Sequence, residues 1–246
     1  MTDEGHVFLE QARLTITQAD KAVTMARQVA AAKVQCLRIG FVPSAEIRIF
    51  PYILPRLRVK IPKLQICTLN LKETDQITEL KKGDLDIIFI NQDFQNDTFA
   101  SQLVLKEPLV FMLPKQHPFA KFEEIKLEQL KELELTILSN KLSQPLSKTI
   151  LQYIEFNKIQ FKTIHETNHI VDCIQAVNSG VSCAILPSYM EALATDQVIV
   201  KPLAKPLPSL DVFMAFNKNP PNQATEQFLE EIRQVFALDQ FALYAS

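Results

Sequence analysis

The chain has 246 residues, of which 47% are hydrophobic and 22% charged, a balance that suits one large folded domain or two small ones. Its formal net charge of −2 and its lack of tryptophan argue against a protein built to grip phosphate backbones or to stack nucleic-acid bases. The four glycines form neither a Gly-x-Gly-x-x-Gly nor a Walker A pattern, so no phosphate-binding loop is predicted.

The first thirty residues predict one long helix with a narrow apolar stripe. No proline occurs between Gly5 and Lys33, and apolar residues recur at steps of three and four. The narrow stripe favours a coiled-coil seam that pairs with another helix, and an amphipathic helix packed on its own domain is the alternative. We assign residues 1–35 to a linker and dimerisation helix, whose seam consists of Phe8, Ala12, Ile16, Ala19, Val23 and Ala26.

Strands and helices alternate between residues 37 and 90. The apolar spacing over residues 50–57 predicts a helix face. Thr74 is placed to cap a short helix that Gly83 closes in the left-handed conformation. Because the strands are continuous apolar runs, they predict a parallel sheet covered on both faces. The predicted strands are residues 37–42, 64–69 and 85–90.

A second unit of the same kind follows, and the chain is expected to cross between the two units near Leu113 and near Ser209. A proline-rich connector spans residues 201–209, and the last strand and helix are expected to return to the first unit. The pattern predicts an α/β protein of two lobes with a cleft at the carboxyl ends of the strands. We assign residues 36–112 and 210–246 to the first lobe and residues 113–209 to the second. The remaining predicted strands are 109–113, 136–138, 161–164, 183–186, 198–200 and 212–216, and the helices are 145–157, 169–179 and 224–236.

The sequence shows no catalytic constellation. There is no Gly-x-Ser-x-Gly elbow, and no serine is set up as a nucleophile. His165 and His169 have the spacing of two ligands on one helix face, but no cysteine or carboxylate accompanies them at metal-binding spacing. We therefore predict no catalytic residue, no metal site and no cofactor.

Cysteine usage and the N-terminus indicate a cytoplasmic protein. The cysteines have apolar neighbours and no Cys-x-x-Cys spacing, so we expect them to be buried and reduced. The N-terminus is polar and lacks the apolar core of a signal peptide, and no apolar run approaches the ~20 residues of a membrane span. The four cysteines are Cys36, Cys67, Cys173 and Cys183.

Polar residues collect where predicted strands end and helices begin. At such points a hydroxyl or amide lies beside the free backbone N–H groups of a helix N-terminus. Several such ends around one cleft form a site for a small anion, in particular a carboxylate, whereas the alternative is that the residues are helix caps only. These residues are Ser44, Thr74, Asn140, Ser143, Gln144, Asn168 and His169.

Six stretches, taken in this order and spacing, resemble the linker helix and effector-binding domain of the LysR-type bacterial transcription regulators. The resemblance covers nearly the whole chain. The stretches are residues 2–13 (TDEGHVFLEQAR), 37–44 (LRIGFVPS), Pro62 with the strand after it, 74–90 (TDQITELKKGDLDIIFI), 107–120 (EPLVFMLPKQHPFA), and Gly180 followed by Ile185, Leu186 and Pro187.

The resemblance implies two Rossmann-like lobes of the periplasmic-binding-protein type, homodimers, and homotetramers formed through the linker helices. It also implies that promoter DNA is bound only through a winged helix-turn-helix, which in the family precedes the stretch like residues 2–13 and which we expect to be missing here. In family members that respond to aromatic acids, the positions touching the effector match Ser44, Thr74, Gln144, Leu146 and Ile170. The chain departs from the family pattern at Pro43 and Ser182 and in the size of Gln144 and Leu146, which leaves the effector's identity open.

We therefore expect the effector-binding and oligomerisation part of a LysR-type regulator whose effector is a small organic anion, a carboxylate or aromatic acid. Two alternatives are a solute-binding receptor with the same two lobes and a small α/β enzyme. The absence of a signal peptide argues against the first, and the absence of a nucleophile–base pair argues against the second. The predicted effector-binding residues are Ser44, Thr74, Asn140, Ser143, Gln144, Leu146, His169 and Ile170.

Overall fold

The computed structural model describes residues 36–139 and 144–236, together with residues 2–6, 8–9, 11–12, 15–16, 18–19 and 22–23. The chain divides into two compact units, one running up to Val104 and resuming at Phe213, the other formed by Leu105–Val212. The division therefore falls earlier than the predicted crossing at Leu113 and later than the one at Ser209. Within the described residues, no helix combines the length and the apolar character needed to cross a bilayer.

The elements alternate along the chain as strands and helices. Short 3-10 helices occur at Pro118–Lys121, Leu127–Glu132 and Ser188–Leu193. The strands and α-helices are β1 (Cys36–Phe41), α1 (Pro43–Arg48), α2 (Phe50–Lys60), β2 (Gln65–Asn70), α3 (Glu73–Lys82), β3 (Ile87–Ile90), β4 (Phe99–Pro114), β5 (Glu134–Leu138), α4 (Gln144–Phe156), β6 (Thr163–Thr167), α5 (Ile170–Asn178), β7 (Cys183–Pro187), β8 (Val198–Lys201), β9 (Ser209–Asn217) and α6 (Gln223–Phe236).

The described residues among the first 23 are helical from Asp3 onward. Three apolar members of the predicted seam are exposed: Phe8 at 75%, Ile16 at 63% and Val23 at 51%. Ala12 is half-buried and Ala19 exposed, whereas Ala26 lies outside the described residues. The stripe therefore presents apolar surface that the described part of the chain does not cover.

The sheet of the first unit has the order β2-β1-β3-β9. β1 runs parallel to β2 and to β3, and β9 runs antiparallel to β3. Edge-to-face contacts link the rings of Phe41, Phe50, Phe89 and Phe228 in sequence, with centroid separations of 5.3, 5.7 and 6.1 Å. Phe228 belongs to α6, so the C-terminal helix completes the core of this unit.

Two glycines in the first unit meet specific steric demands. A Cβ on Gly40 of β1 would lie 2.7 Å from Leu85 Cδ1 and 2.9 Å from Gln76 Oε1, so a larger residue would displace these two buried side chains. Gly83 ends α3 with φ 76°, and its N–H donates to carbonyls of the last turn. The predicted left-handed helix end at Gly83 is thereby confirmed.

The sheet of the second unit is built around three parallel strands. β5 runs parallel to β6 and to β7, and β4 runs antiparallel to β7 and to β8. Its core includes the buried side chains of Phe111, Leu135, Ile174 and Ile185. The expectation of a parallel sheet over residues 37–90 is confirmed by β1, β2 and β3, whereas β4, β8 and β9, for which no direction was predicted, pair antiparallel.

The prediction that all four cysteines are buried is wrong for one and inexact for another. Cys173 and Cys183 are buried, Cys36 is half-buried, and Cys67 is exposed. β2 lies at the end of the described strand order, and every one of its residues except Ile66 is exposed. An edge strand lacks a neighbour to cover it, which is why the apolar residues around Cys67 do not bury it.

Candidate functional site

Ser44 lies directly beyond the carboxyl end of β1, as the sequence predicts. The extended residue Val42 precedes α1, Pro43 occupies its first turn, and Ser44 is the second helical residue. Its side chain is only 3% exposed, and its hydroxyl makes no hydrogen bond to another described residue. Ser44 Oγ is not one of the fully enclosed unpaired polar atoms of the described residues, so it keeps some access to solvent and can bond a ligand.

Thr74 follows β2, but the structure contradicts its predicted role as a helix cap. α3 begins at Glu73 and Lys72 takes the N-cap position, so Thr74 lies inside the first turn with its side chain exposed. The Thr74 hydroxyl lies 3.4 Å from Asp75 Oδ1, a long contact between neighbours. The cap assignment failed because the helix starts two residues earlier than a cap at Thr74 requires, at a glutamate that has a tertiary partner of its own.

That glutamate, Glu73, is a polar group of this edge that sequence reasoning missed. Its carboxylate accepts a 2.7 Å hydrogen bond from the backbone N–H of Asn91, the residue after β3. Burial raises the pKa of Glu73, and the bond from Asn91 opposes that rise. Because β1, β2 and β3 run parallel, Ser44, Thr74 and Asn91 all follow the same edge of the first sheet.

In the second unit, the predicted site residues around the start of α4 are partly described. Asn140 and Ser143 lie outside the described residues, as does the side chain of Gln144, which begins the helix. Leu146 is 3% exposed and packs in the core of this unit. Ser147, which sequence reasoning missed, is fully buried and donates its hydroxyl proton to the carbonyl of Leu138, tying α4 to the end of β5.

The start of α5 carries the other two predicted residues. His169 occupies the N-cap position in an extended conformation, and its exposed side chain makes no capping bond within the described part. The cap-like contacts come instead from Thr167, whose hydroxyl donates to Asp172 Oδ2 at 2.7 Å and lies 3.5 Å from the N–H of His169. Ile170, half-buried, begins the helix.

A buried carboxylate, which sequence reasoning also missed, bonds two residues that follow β7. Glu107 on β4 is fully buried and accepts hydrogen bonds from Ser188 Oγ at 2.8 Å and from the N–H of Tyr189 at 3.1 Å. Ser188 begins the 3-10 helix that follows β7. Since β5, β6 and β7 run parallel, the starts of α4, α5 and this 3-10 helix share one edge of the second sheet.

Ser182 departs from the family pattern, and the structure gives it a role. Its hydroxyl lies 2.7 Å from Thr136 Oγ1, and both side chains are buried. The pair joins β5 to the residue before β7. Serine at this position therefore gives the buried hydroxyl of Thr136 a hydrogen-bond partner within the second unit.

The two histidines at helical spacing do not lie on one helix. His165 is on β6, and its Nε2 lies 3.0 Å from Glu134 Oε2, while Lys162 Nζ lies 2.9 Å from Glu134 Oε1. The hydrogen bond from Lys162 first, and then the one with His165, hold the pKa of Glu134 below its usual value. Among the described residues, no group of three or more histidine, cysteine, aspartate or glutamate side chains is placed to hold a metal ion.

Comparisons with known proteins agree with this architecture. Residues 33–237 match the family described as the LysR substrate binding domain. The Hca operon transcriptional activator HcaR of Escherichia coli (strain K12) is 28% identical over 237 residues, which are 96% of this chain and 80% of that protein.

Two solved structures share the fold. The BenM effector binding domain with its effector benzoate aligns with a TM-score of 0.72 at 20% identity, over 82% of this chain and 92% of that one. Full-length CbnR complexed with its target DNA aligns with a TM-score of 0.69 at 17% identity, over 95% of this chain and 82% of that one. The chain belongs to the LysR family of transcriptional regulators, and residues 33–237 are its effector-binding domain.

Proposed function

We propose that this effector-binding domain senses a small organic carboxylate through the polar residues that follow its parallel strands. The observation that carries the proposal is Ser44, a side chain 3% exposed whose hydroxyl has no partner among the described residues. A carboxylate accepting that hydroxyl proton gains a charge-assisted hydrogen bond, worth roughly 1.5–3 kcal/mol when shielded from water.

Each unit, taken by itself, offers polar residues for effector binding. Thr74 offers an exposed hydroxyl in the first turn of α3, where the helix dipole favours negative charge. In the second unit we assign effector contacts to Asn140, Ser143, Gln144, His169 and Ile170. We assign Leu146 to an apolar wall of this part of the site.

Benzoate is the first candidate effector. BenM, whose effector-binding domain has the same fold, binds benzoate. An aromatic carboxylate combines an anionic group suited to Ser44 and Thr74 with a ring suited to apolar side chains such as Ile170. We propose the class, a small aromatic or aliphatic acid, and use benzoate as its probe.

We further propose that the regulator works as a homo-oligomer held by its N-terminal helix. Phe8, Ile16 and Val23 expose apolar surface along one helical stripe, and burying it against a second copy favours association at roughly 25 cal/mol per Å². An effector that binds one arrangement of the oligomer more tightly than another shifts the population between them, and the DNA-binding parts move with it.

The regulator is proposed to act in the cytoplasm and to leave its effector chemically unchanged. The relatives it matches are transcriptional regulators, and promoter access requires the cytoplasm. Cell fractionation tests the location. Recovery of benzoate intact after prolonged incubation with the protein tests the absence of turnover.

Binding is tested by a thermal-shift series with benzoate and a panel of aromatic and dicarboxylic acids, followed by isothermal titration with the acid of largest shift. Ser44→Ala and Thr74→Ala are each expected to weaken binding about tenfold or more, since 1.4 kcal/mol is a factor of ten. Their unliganded melting temperatures should fall by only a few degrees.

Two matched controls separate binding from stability. Thr78→Ala removes an exposed hydroxyl one turn further along α3, which bonds the carbonyl of Thr74. Ser101→Ala removes a buried hydroxyl of the first unit that accepts from the N–H of Phe94. Both controls should keep full affinity. Unchanged affinity in Ser44→Ala and Thr74→Ala, with a clearly lowered melting temperature, would return both residues to a structural role.

A further inference from the structure

Two cysteines lie side by side on the neighbouring parallel strands β1 and β2. In the register of these strands Cys36 is opposite Gln65, and Arg38 is opposite Cys67. Residues two apart on a strand point to the same face, so Cys36, Arg38, Gln65 and Cys67 share one face of the sheet. Cys36 and Cys67 are therefore diagonal neighbours on that face.

The register brings the two thiols close together on this face of the sheet. Cys67 is exposed and Cys36 half-buried, whereas Cys173 and Cys183 are buried. Thus the two cysteines that solvent can reach are also diagonal neighbours on one face of the sheet. This pairing of proximity with accessibility is what a reversible thiol switch requires.

We propose that Cys36 and Cys67 form a dithiol–disulfide pair that hydroperoxides oxidise. The thiol of Cys67 first reacts with hydrogen peroxide to give a sulfenic acid and one water. The thiol of Cys36 then attacks the sulfenic sulfur, an S–S bond forms, the S–O bond breaks, and the hydroxyl leaves with the Cys36 proton as a second water. Peroxide is the oxidant, and a thiol reductant reverses the reaction.

The environments of the two cysteines indicate that Cys67 reacts first and Cys36 second. Cys67 is the more exposed thiol, and the cationic Arg38 lies directly opposite it in the register. Arg38 is held there by a salt bridge of 2.9 Å to the buried Asp86. Cys36 is less exposed than Cys67 and therefore enters the reaction second. Burial, with a contribution from Cys67, raises the pKa of Cys36, and Arg38 opposes that rise.

Closing the disulfide requires a small shift of the strand end. Diagonal neighbours on a sheet have Cα atoms about 7–8 Å apart, while disulfides usually join Cα atoms 4.4–6.8 Å apart. Cys36 is the first residue of β1, so its backbone can move towards β2 without breaking the centre of the ladder.

The test uses the full chain and needs no effector. The reduced protein is treated with hydrogen peroxide, free thiols are alkylated, and tryptic peptides are mapped without reduction. Cleavage after Lys33, Arg38, Lys63 and Lys72 isolates the two cysteines on short peptides, 34–38 and 64–72. These peptides should appear joined, the intact mass should fall by two hydrogens, and dithiothreitol should restore both values.

Three cysteine-to-serine variants test the two steps separately. Cys36→Ser should stop the reaction at a sulfenic acid on Cys67 that dimedone traps, and Cys67→Ser should leave Cys36 fully alkylated after peroxide. Cys173→Ser is the matched control and should form the disulfide at the wild-type rate. Both cysteines recovered as free alkylated thiols after peroxide treatment, or Cys67 found joined to a different cysteine, would overturn the proposal.

Discussion

Removing the charge of Lys60 should destabilise the first unit more than removing the charge of Glu231, its ion-pair partner. Glu231 on α6 is 1% exposed, and Lys60 Nζ of α2 lies against its Oε1, while Arg56 Nη1 lies 3.7 Å from its Oε2. The two cations are 43% and 56% exposed. The cluster joins the C-terminal helix to α2.

The asymmetry follows from what each substitution leaves behind. Lys60→Met strands a buried carboxylate with only the more distant Arg56. Breaking a buried pair in this way costs 3–5 kcal/mol in general, and the exposed edge of this cluster lowers our expectation to about 2–3 kcal/mol. Glu231→Gln leaves Lys60 and Arg56 free to turn into water, so its expected cost is about 1 kcal/mol.

The double variant gives the sharpest result. Because Glu231→Gln removes the stranded charge, Lys60→Met with Glu231→Gln should be more stable than Lys60→Met alone by about 1 kcal/mol or more. Urea unfolding followed by circular dichroism measures all three. Lys82→Met is the control, since its partner Glu79 lies one turn away on α3 and is 32% exposed. Additive losses, or equal losses in the two single variants, would refute the reasoning.

Three further outcomes are expected. Gly40→Ala should cost about 1–3 kcal/mol in urea unfolding, because its Cβ would lie 2.7 Å from Leu85 Cδ1 and 2.9 Å from Gln76 Oε1. Burial raises the pKa of Glu73 in the folded protein above its unfolded value. The side chain therefore contributes to the free energy of unfolding below the unfolded pKa, and this contribution is lost as pH rises through the folded pKa. Between pH 4 and 7 the stability of wild type should therefore fall relative to Glu73→Gln, which keeps an acceptor for Asn91, and melts across that range measure this. These 246 residues alone, with net charge −2, should give no salt-dependent shift of duplex DNA in a gel.

The elements of the fold were predictable because most of its strands are continuous apolar runs. β3 and β7 are buried along their whole length, and their sequences contain little else than apolar residues. The first part of β4 was missed, since residues 99–104 mix polar and apolar side chains and so give no continuous apolar run. The start of β6 was predicted about two residues early. This strand is largely exposed, so its sequence has no continuous apolar run to mark its ends.

The positions of the candidate site residues were more predictable than their contacts. A hydroxyl after a strand and before a helix is visible in the sequence, and Ser44 lies there. The partner of Glu107 is not visible, because Ser188 is 81 residues away and only the pairing of β4 with β7 brings them together. Thr74 shows the same limit, since α3 begins at Glu73, whose carboxylate bonds the N–H of Asn91, a contact that the local sequence does not reveal.

The direction of the strands, rather than any single motif, gathers the candidate site residues. Within each unit three parallel strands deliver their carboxyl ends to one edge, so short polar side chains that follow them become neighbours whatever the rest of the sequence is. Hydroxyls and free backbone N–H groups recognise a carboxylate by its charge and its two oxygens, and they carry little information about the remainder of the molecule. In the proposed site that information would come from apolar side chains such as Ile170. The proposed site thus divides the work, because the polar strand ends select an anion and a few apolar positions select which acid it is.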